Sequence, residues 1–147
     1  MEMKLPEDFK EFLKLLNEIE ASYLLVGGYA VGYHGYPRTT ADMDIWVKNS
    51  PENALKLVEV FHAFGMADGS LNPALFQEEG RILRMGHPPM RIEVMNHIDG
   101  VEFDACYSRK IVDEVDGLKI NMIGKEDLLK NKETSGRYKD LDDLEHL

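Results

Sequence analysis

Tyr23-Leu24-Leu25-Val26-Gly27-Gly28-Tyr29-Ala30-Val31, followed after a short break by Asp42-Met43-Asp44-Ile45-Trp46-Val47, sets the architecture of this chain. The run 23–26 is apolar and rich in strand formers, and it stops at a glycine pair, which reads as a buried strand ending in a tight turn. A short helix over 29–33 is expected next. Gly35-Tyr36-Pro37 breaks regular structure, and 42–47 then alternates polar with apolar residues as a half-buried strand does. Side chains two apart on a strand face the same way, so Asp42 and Asp44 project together while Met43 and Ile45 enter the core. Their α-carbons are expected roughly 6.5 to 7 Å apart. At an effective dielectric of 20, two charges at that spacing repel by about 2 kcal/mol, which calls for a cation between them. Magnesium suits the place, because it takes oxygen ligands and is usually held by one or two carboxylates plus substrate phosphates. At Gly27-Gly28 a phosphate can approach backbone amides at a helix start with no side chain in the way.

Outward from this stretch, Phe9, Phe12, Leu13, Leu16 and Ile19 fall at helical spacing over 6–20. Ser50-Pro51 is a cap-then-proline signal for a helix burying Ala54, Leu55, Leu57, Val58 and Phe61, and Asn72-Pro73 repeats the signal for a short helix ending near Gly80. Residues 81–85 and 90–95 read as strands around Gly86-His87-Pro88-Pro89. Residues 110–115 and 118–121 form a hairpin about Asp116-Gly117. From Lys125 the chain is helical in composition, interrupted at Ser135-Gly136. These elements predict an α/β fold with a mixed, twisted sheet of about five strands flanked by helices, and 1–147 as a single domain.

The 147 residues carry a formal net charge of -10, which disfavours a long polynucleotide partner, since nonspecific binding to one depends on Lys and Arg neutralising phosphates. A small polyphosphate stays compatible with an acidic site that holds divalent cations. No apolar run reaches the roughly 20 residues of a membrane span, and the N-terminus lacks the pattern of a secretory signal, so a cytoplasmic protein is expected. Cys106, the only cysteine, excludes an internal disulfide and a Cys-rich zinc site; it reads as a small buried hydrophobe. His34, His87 and His97 have no zinc-like spacing and read as structural. Trp46 and the methionines at 85, 90 and 95 read as packing residues. Arg38, Thr39 and Thr40 precede the aspartates closely enough to touch substrate or to brace the loop.

The string Leu25-Val26-Gly27-Gly28-Tyr29-Ala30-Val31, then His34-Gly35, Arg38-Thr39-Thr40 and Asp42-Met43-Asp44-Ile45-Trp46-Val47, resembles the core signature of the nucleotidyltransferase superfamily. It is most similar to the small minimal nucleotidyltransferases and the AbiEii-type toxin enzymes. The resemblance implies that Gly27 and Gly28 bind the triphosphate region of a nucleotide and that Asp42 and Asp44 coordinate Mg2+; Arg38 and Thr40, by their closeness to the aspartates, are further candidates for nucleotide binding. A third carboxylate on a later strand completes such a site. Glu93, in Arg91-Ile92-Glu93-Val94-Met95, is the candidate, with Asp104 and Glu102 next. Members of this type more often carry Asp there, so the longer Glu arm is expected to favour Mn2+ over Mg2+ and to gain from Glu93→Asp. Lys132 and Arg137 correspond to phosphate-reaching residues, with Asp140 orienting them. The implied reaction moves a nucleoside monophosphate from a nucleoside triphosphate to an acceptor hydroxyl on a protein, a small molecule or an RNA end, the last disfavoured by the charge. The alternatives are a nucleotide- or metal-binding module without turnover, and the toxin-like half of a pair with a helical antitoxin as partner.

Overall fold

A computed structural model describes residues 4–36, 41–66, 69, 71–87 and 90–147, without the side chain of His87. Helix α1, Glu7–Glu18, buries Phe9, Phe12, Leu13 and Leu16 and places Glu7 and Asp8 in its first turn, where the helix dipole favours acids. Strand β1, Tyr23–Val26, is buried along its whole length. The helix after it, α2, spans Gly27–Tyr33 and so begins at the glycine pair itself, two residues earlier than the sequence suggests. Strand β2 is Asp42–Val47.

Helix α3, Pro51–Ala63, starts as expected, with Asn53 N donating to Ser50 Oγ at 3.1 Å. Ala54, Leu57 and Phe61 are buried, but Leu55 points to solvent at 61% exposure, so the apolar face is narrower than its sequence. Phe12 of α1 meets Phe61 and the neighbouring Phe64 edge to face at 5.7 and 5.2 Å. Asn53, buried, donates to the carbonyls of Ser22 and Lys48 and accepts from Ser22 N, which ties α3 to the ends of β1 and β2. The Asn72-Pro73 signal yields a single 3-10 turn, Pro73–Phe76.

Strands β3, Ile82–His87, and β4, Met90–Met95, form a hairpin. A short helix that the sequence reading left out, α4, Phe103–Ser108, leads to the second hairpin, β5, Ile111–Val115, and β6, Leu118–Met122. Helices α5, Lys125–Ser135, and α6, Tyr138–His146, close the chain, separated by Gly136 at φ 61°, a left-handed helix end that suits glycine.

The strands make one mixed sheet of six, in the order β3-β4-β2-β1-β6-β5, one more than the expected five. Both edge positions belong to hairpin strands, β3 and β5. Strand β1 runs antiparallel to β2 and parallel to β6, and β2 runs parallel to β4. Along β2, Met43, Ile45 and Val47 are buried on one face. On the other face Trp46 is covered by Phe103 of α4, ring to ring at 5.1 Å, whereas Asp42 and Asp44 stay partly exposed. The sheet is therefore sealed at the Trp46 end and open at the aspartate end. No helix among the described residues is long and apolar enough to cross a membrane.

Candidate active site

The register of three strands builds the floor of the site. Asp44 pairs with Glu93 and Glu93 with Arg84, so β2, β4 and β3 contribute one row of charged residues; Asp42, Arg91 and Gly86 form the row beside it. Strand alternation turns both rows to the same face. Val26, the last residue of β1, pairs with Asp44, which sets Gly27 against that aspartate. Gly27 has φ +68°, and a Cβ there would fall 2.9 Å from Asp44 Cγ. Two demands thus coincide at one glycine: a left-handed backbone and room for a carboxylate.

Above this floor lies a cleft of about 650 Å³ lined by Gly27, Gly28, Asp42, Asp44, Arg84 and Glu93 on the sheet side. Asn131, Lys132, Ser135, Arg137 and Lys139 of the α5–α6 end face them, and His97, Ile98 and Asp99, just past β4, form a further part of the wall. The structure brings Asp42, Asp44, Glu93, Gly27, Gly28, Lys132 and Arg137 to one cavity, with Asp140 in contact with the last two. Arg38 and Thr40 lie outside the described residues. Asp104 and Glu102 are elsewhere: Asp104 pairs with Lys48 at 3.0 Å, and Glu102 lines a separate hollow with Arg109 and Lys130.

Electrostatics distinguish the carboxylates. Burial, with the negative charges of Glu93 and Asp42 added, pushes the Asp44 carboxyl up to about 6, while Lys139 and Lys132 pull it back. Glu93 is approached by two arginines, Arg84 Nε at 3.4 Å and Arg91 Nε at 3.8 Å, and Arg91 Nε also lies 3.6 Å from Asp42 Oδ1. Across the cleft, Lys132 is buried and bound to Asp140 at 3.0 Å and to Asp143 at 3.2 Å. Asp140 also accepts from Arg137 Nε at 2.7 Å and from Ser135 Oγ. Burial alone would raise the Asp140 carboxyl, but the hydrogen bonds from Arg137, Ser135 and Lys132 outweigh it and hold it well below the usual range. An ammonium has three donors, and two of those on Lys132 go to Asp140 and Asp143. Lys132 therefore anchors α5 to α6 at least as much as it faces the cavity.

The donor set fits a hard divalent cation in one way. Among the described residues no three His, Cys, Asp or Glu side chains converge so as to hold an ion by themselves. Asp42 and Asp44 together offer two carboxylates, the number that magnesium commonly takes from a protein when substrate oxygens supply the rest. Glu93 in this arrangement answers to the arginines.

Several residues of the cavity were missed by the sequence reading. Lys139 is the cation with the largest effect on Asp44, yet along the sequence it reads as one half of a helical pair with Asp143. Arg84 enters through the hairpin register: β3 runs on through Gly86 to His87, past the break expected there, and with His87 paired to Met90 Arg84 faces Glu93. His97 lies between Glu79 at 3.4 Å and Asp99 at 3.5 Å on the cleft wall. His34 does have a structural role, since its Nε2 donates to Ile123 O at 2.7 Å and pins α2 to the end of β6.

The fold is shared with solved structures of nucleotidyltransferases and a nucleotidyltransferase-like protein. One is a candidate nucleotidyltransferase from Thermotoga maritima, 18% identical, with a TM-score of 0.64 over 98% of this chain and 94% of that one. Another is the lincosamide antibiotic adenylyltransferase LnuA with lincomycin bound, 16% identical, with a TM-score of 0.56 over 97% and 95%. An antigenic nucleotidyltransferase-like protein from Paracoccidioides brasiliensis, 16% identical, aligns at 0.54 over 97% of this chain and 76% of that one. No family model and no curated protein matches the sequence. The likeness is one of fold.

Proposed function

We propose that this chain transfers a nucleoside monophosphate from a nucleoside triphosphate to an acceptor hydroxyl. The observation that carries the reading is the meeting of the Asp42–Asp44 pair, the Gly27-Gly28 turn and the Lys132, Arg137 and Lys139 wall in one open cleft. Asp42 and Asp44 hold a divalent ion, which when bound supplies charge stabilisation at the phosphate oxygens. Gly27 and Gly28 leave the triphosphate a path without side chains. Arg137 and Lys139 bind its oxygens, Arg through paired hydrogen bonds and Lys as a mobile point charge. Lys132, Asp140 and Asp143 keep those two groups at the right height by locking α5 to α6. The acceptor oxygen bonds to the α-phosphorus as the bond to pyrophosphate breaks, and the acceptor's proton leaves to the water of the open cleft. A triphosphate donor also favours the cytoplasm as the place of the reaction.

A second reading, nucleotide binding without turnover, is favoured by the engagement of Glu93 with Arg84 and Arg91. One experiment separates the two. The chain is incubated with Mg2+, with the four nucleoside triphosphates labelled at the α-phosphorus, and with acceptors that include a lincosamide, the class of ligand held by LnuA, and proteins with free hydroxyls. The expected result is labelled acceptor and released pyrophosphate, both abolished in Asp42→Asn/Asp44→Asn. Label retained on the chain with no transfer to any acceptor selects the second reading. No retention at all removes both.

A further inference from the structure

The floor of the cleft is ordered in its cations as well as its anions. Arg91 precedes Glu93 by two residues on β4, so both side chains rise from the same face, and across the sheet Arg91 stands opposite Asp42. Its Nε lies 3.6 Å from Asp42 Oδ1 and 3.8 Å from Glu93 Oε1, beyond hydrogen-bond reach of either. That nitrogen is also buried with no hydrogen-bond partner among the described residues. A buried donor is seldom left that way. What fixes it here is charge: it sits between two carboxylates as a cation would, and Arg84 approaches Glu93 from the far side at 3.4 Å. On β3 the position opposite Arg91 is Gly86, which offers no side chain to draw the guanidinium away.

A two-metal site needs two divalent ions about 3.5 to 4 Å apart among its carboxylates. In this chain the place between the first and third carboxylates is already taken by a guanidinium, which carries only donors and no lone pair for a metal. We infer that Arg91 holds the second cation position of the site. Asp42 and Asp44 take a single divalent ion together with the phosphate oxygens of the substrate, and the guanidinium between Asp42 and Glu93 supplies the fixed positive charge that a second ion supplies in a two-metal arrangement. Glu93 is then the counter-charge of Arg91 and Arg84. Arg91 is a positioning residue in this account, and its mark is the number of ions bound. The inference rests on the nucleotidyl-transfer reading of the cleft.

The test counts manganese. The chain is dialysed to equilibrium against Mn2+ and a mixture of the α,β-methylene analogues of ATP, GTP, CTP and UTP, and the bound metal is measured by elemental analysis and by its electron paramagnetic resonance. The wild type is expected to hold one Mn2+ per chain with the spectrum of an isolated ion. Arg91→Met is expected to hold two, with the spectrum broadened by their proximity, and Arg91→Lys, which restores the charge, to hold one. Two ions in the wild type, or one in Arg91→Met, overturns the role assigned to Arg91 and leaves the nucleotidyl-transfer reading standing. No Mn2+ in the wild type removes that reading as well. Should Arg91→Met fail to fold by circular dichroism, Arg91→Gln carries the same expectation of two, and the wild-type count decides by itself whether a second ion enters.

Discussion

Gly27 and Asp44 occupy one another's space: the carboxylate lies so close over the glycine α-carbon that a Cβ built there falls 2.9 Å from Asp44 Cγ, and closer still to Oδ2. The pairing of Val26 with Asp44 creates the contact, because the residue after Val26 leaves the strand at the level of that aspartate. Gly27→Ala is expected to cost about 1–2 kcal/mol from the left-handed backbone alone. The displaced carboxylate adds a functional loss, a fall in Mn2+ affinity of roughly 10- to 100-fold, as expected when a ligand loses its support. Urea denaturation and Mn2+ titration measure the two separately. Unchanged Mn2+ affinity in a folded Gly27→Ala protein would make the glycine a turn residue only.

The second prediction concerns the lock between α5 and α6. Lys132→Met removes a cation from both Asp140 and Asp143, leaving two buried carboxylates short of positive charge. Breaking a buried pair from one side typically costs about 3–5 kcal/mol, and that is the loss expected in urea. A loss under about 1 kcal/mol would mean that the cluster relaxes into solvent.

The third follows from the depressed Asp140 carboxyl. An acid whose pKa is lower folded than unfolded adds stability above its unfolded value, about 3.9, and loses it as pH falls through the folded value. The stability difference between wild type and Asp140→Asn is therefore expected to be constant from pH 7 to about pH 5 and to shrink below about pH 4. Urea midpoints at pH 7, 4 and 2.5 trace it. A difference that grows on acidification contradicts the assignment.

Cys106 gives a fourth, independent check on the core. It is fully buried, and burial, followed by the nearby Asp127 charge, pushes its thiol up to about 11. At pH 8 roughly one thiol in a thousand is then ionised, and only the thiolate is nucleophilic. A chromogenic thiol reagent is expected to react slowly with the native chain and rapidly in urea; equal rates would place the side chain at the surface.

Local chemistry made much of this legible in the sequence. Ser50-Pro51, Asp116-Gly117 and the alternation over 42–47 each act within a few residues, and the elements follow them. What stayed hidden needs the register between distant segments. Arg91 and Glu93 were visible as neighbours, but their placement beside Asp42 and Asp44 depends on the parallel pairing of β2 with β4, which no local pattern encodes. Lys139 likewise reads along the sequence as the mate of an acid on its own helix, and shows its role only when α6 folds over the cleft. The short α4 was missed because Phe103-Asp104-Ala105-Cys106-Tyr107-Ser108 is too brief for a helical period; packing against Trp46 gives it a place.

The last prediction asks what Glu93 does. If it were a metal ligand, its extra methylene relative to Asp would sit badly with the near-octahedral demands of magnesium, and Glu93→Asp would raise activity with Mg2+ relative to Mn2+. The distances to Arg84 and Arg91 favour the other outcome: the longer arm is what reaches the guanidiniums, and shortening it by one carbon withdraws that counter-charge. Glu93→Asp is accordingly expected to leave the Mg2+ to Mn2+ activity ratio unimproved. Glu93→Gln is expected to weaken Mn2+ binding by roughly tenfold or less, about 1.4 kcal/mol at most, through unneutralised arginine charge rather than a lost ligand. Asp44→Asn, which removes one of the two proposed ligands, should weaken binding by far more. Manganese titrations of the three variants rank these effects. A Glu93→Gln loss equal to that of Asp44→Asn, or a Glu93→Asp protein that prefers Mg2+, returns Glu93 to the metal and takes Arg91 out of the second cation position.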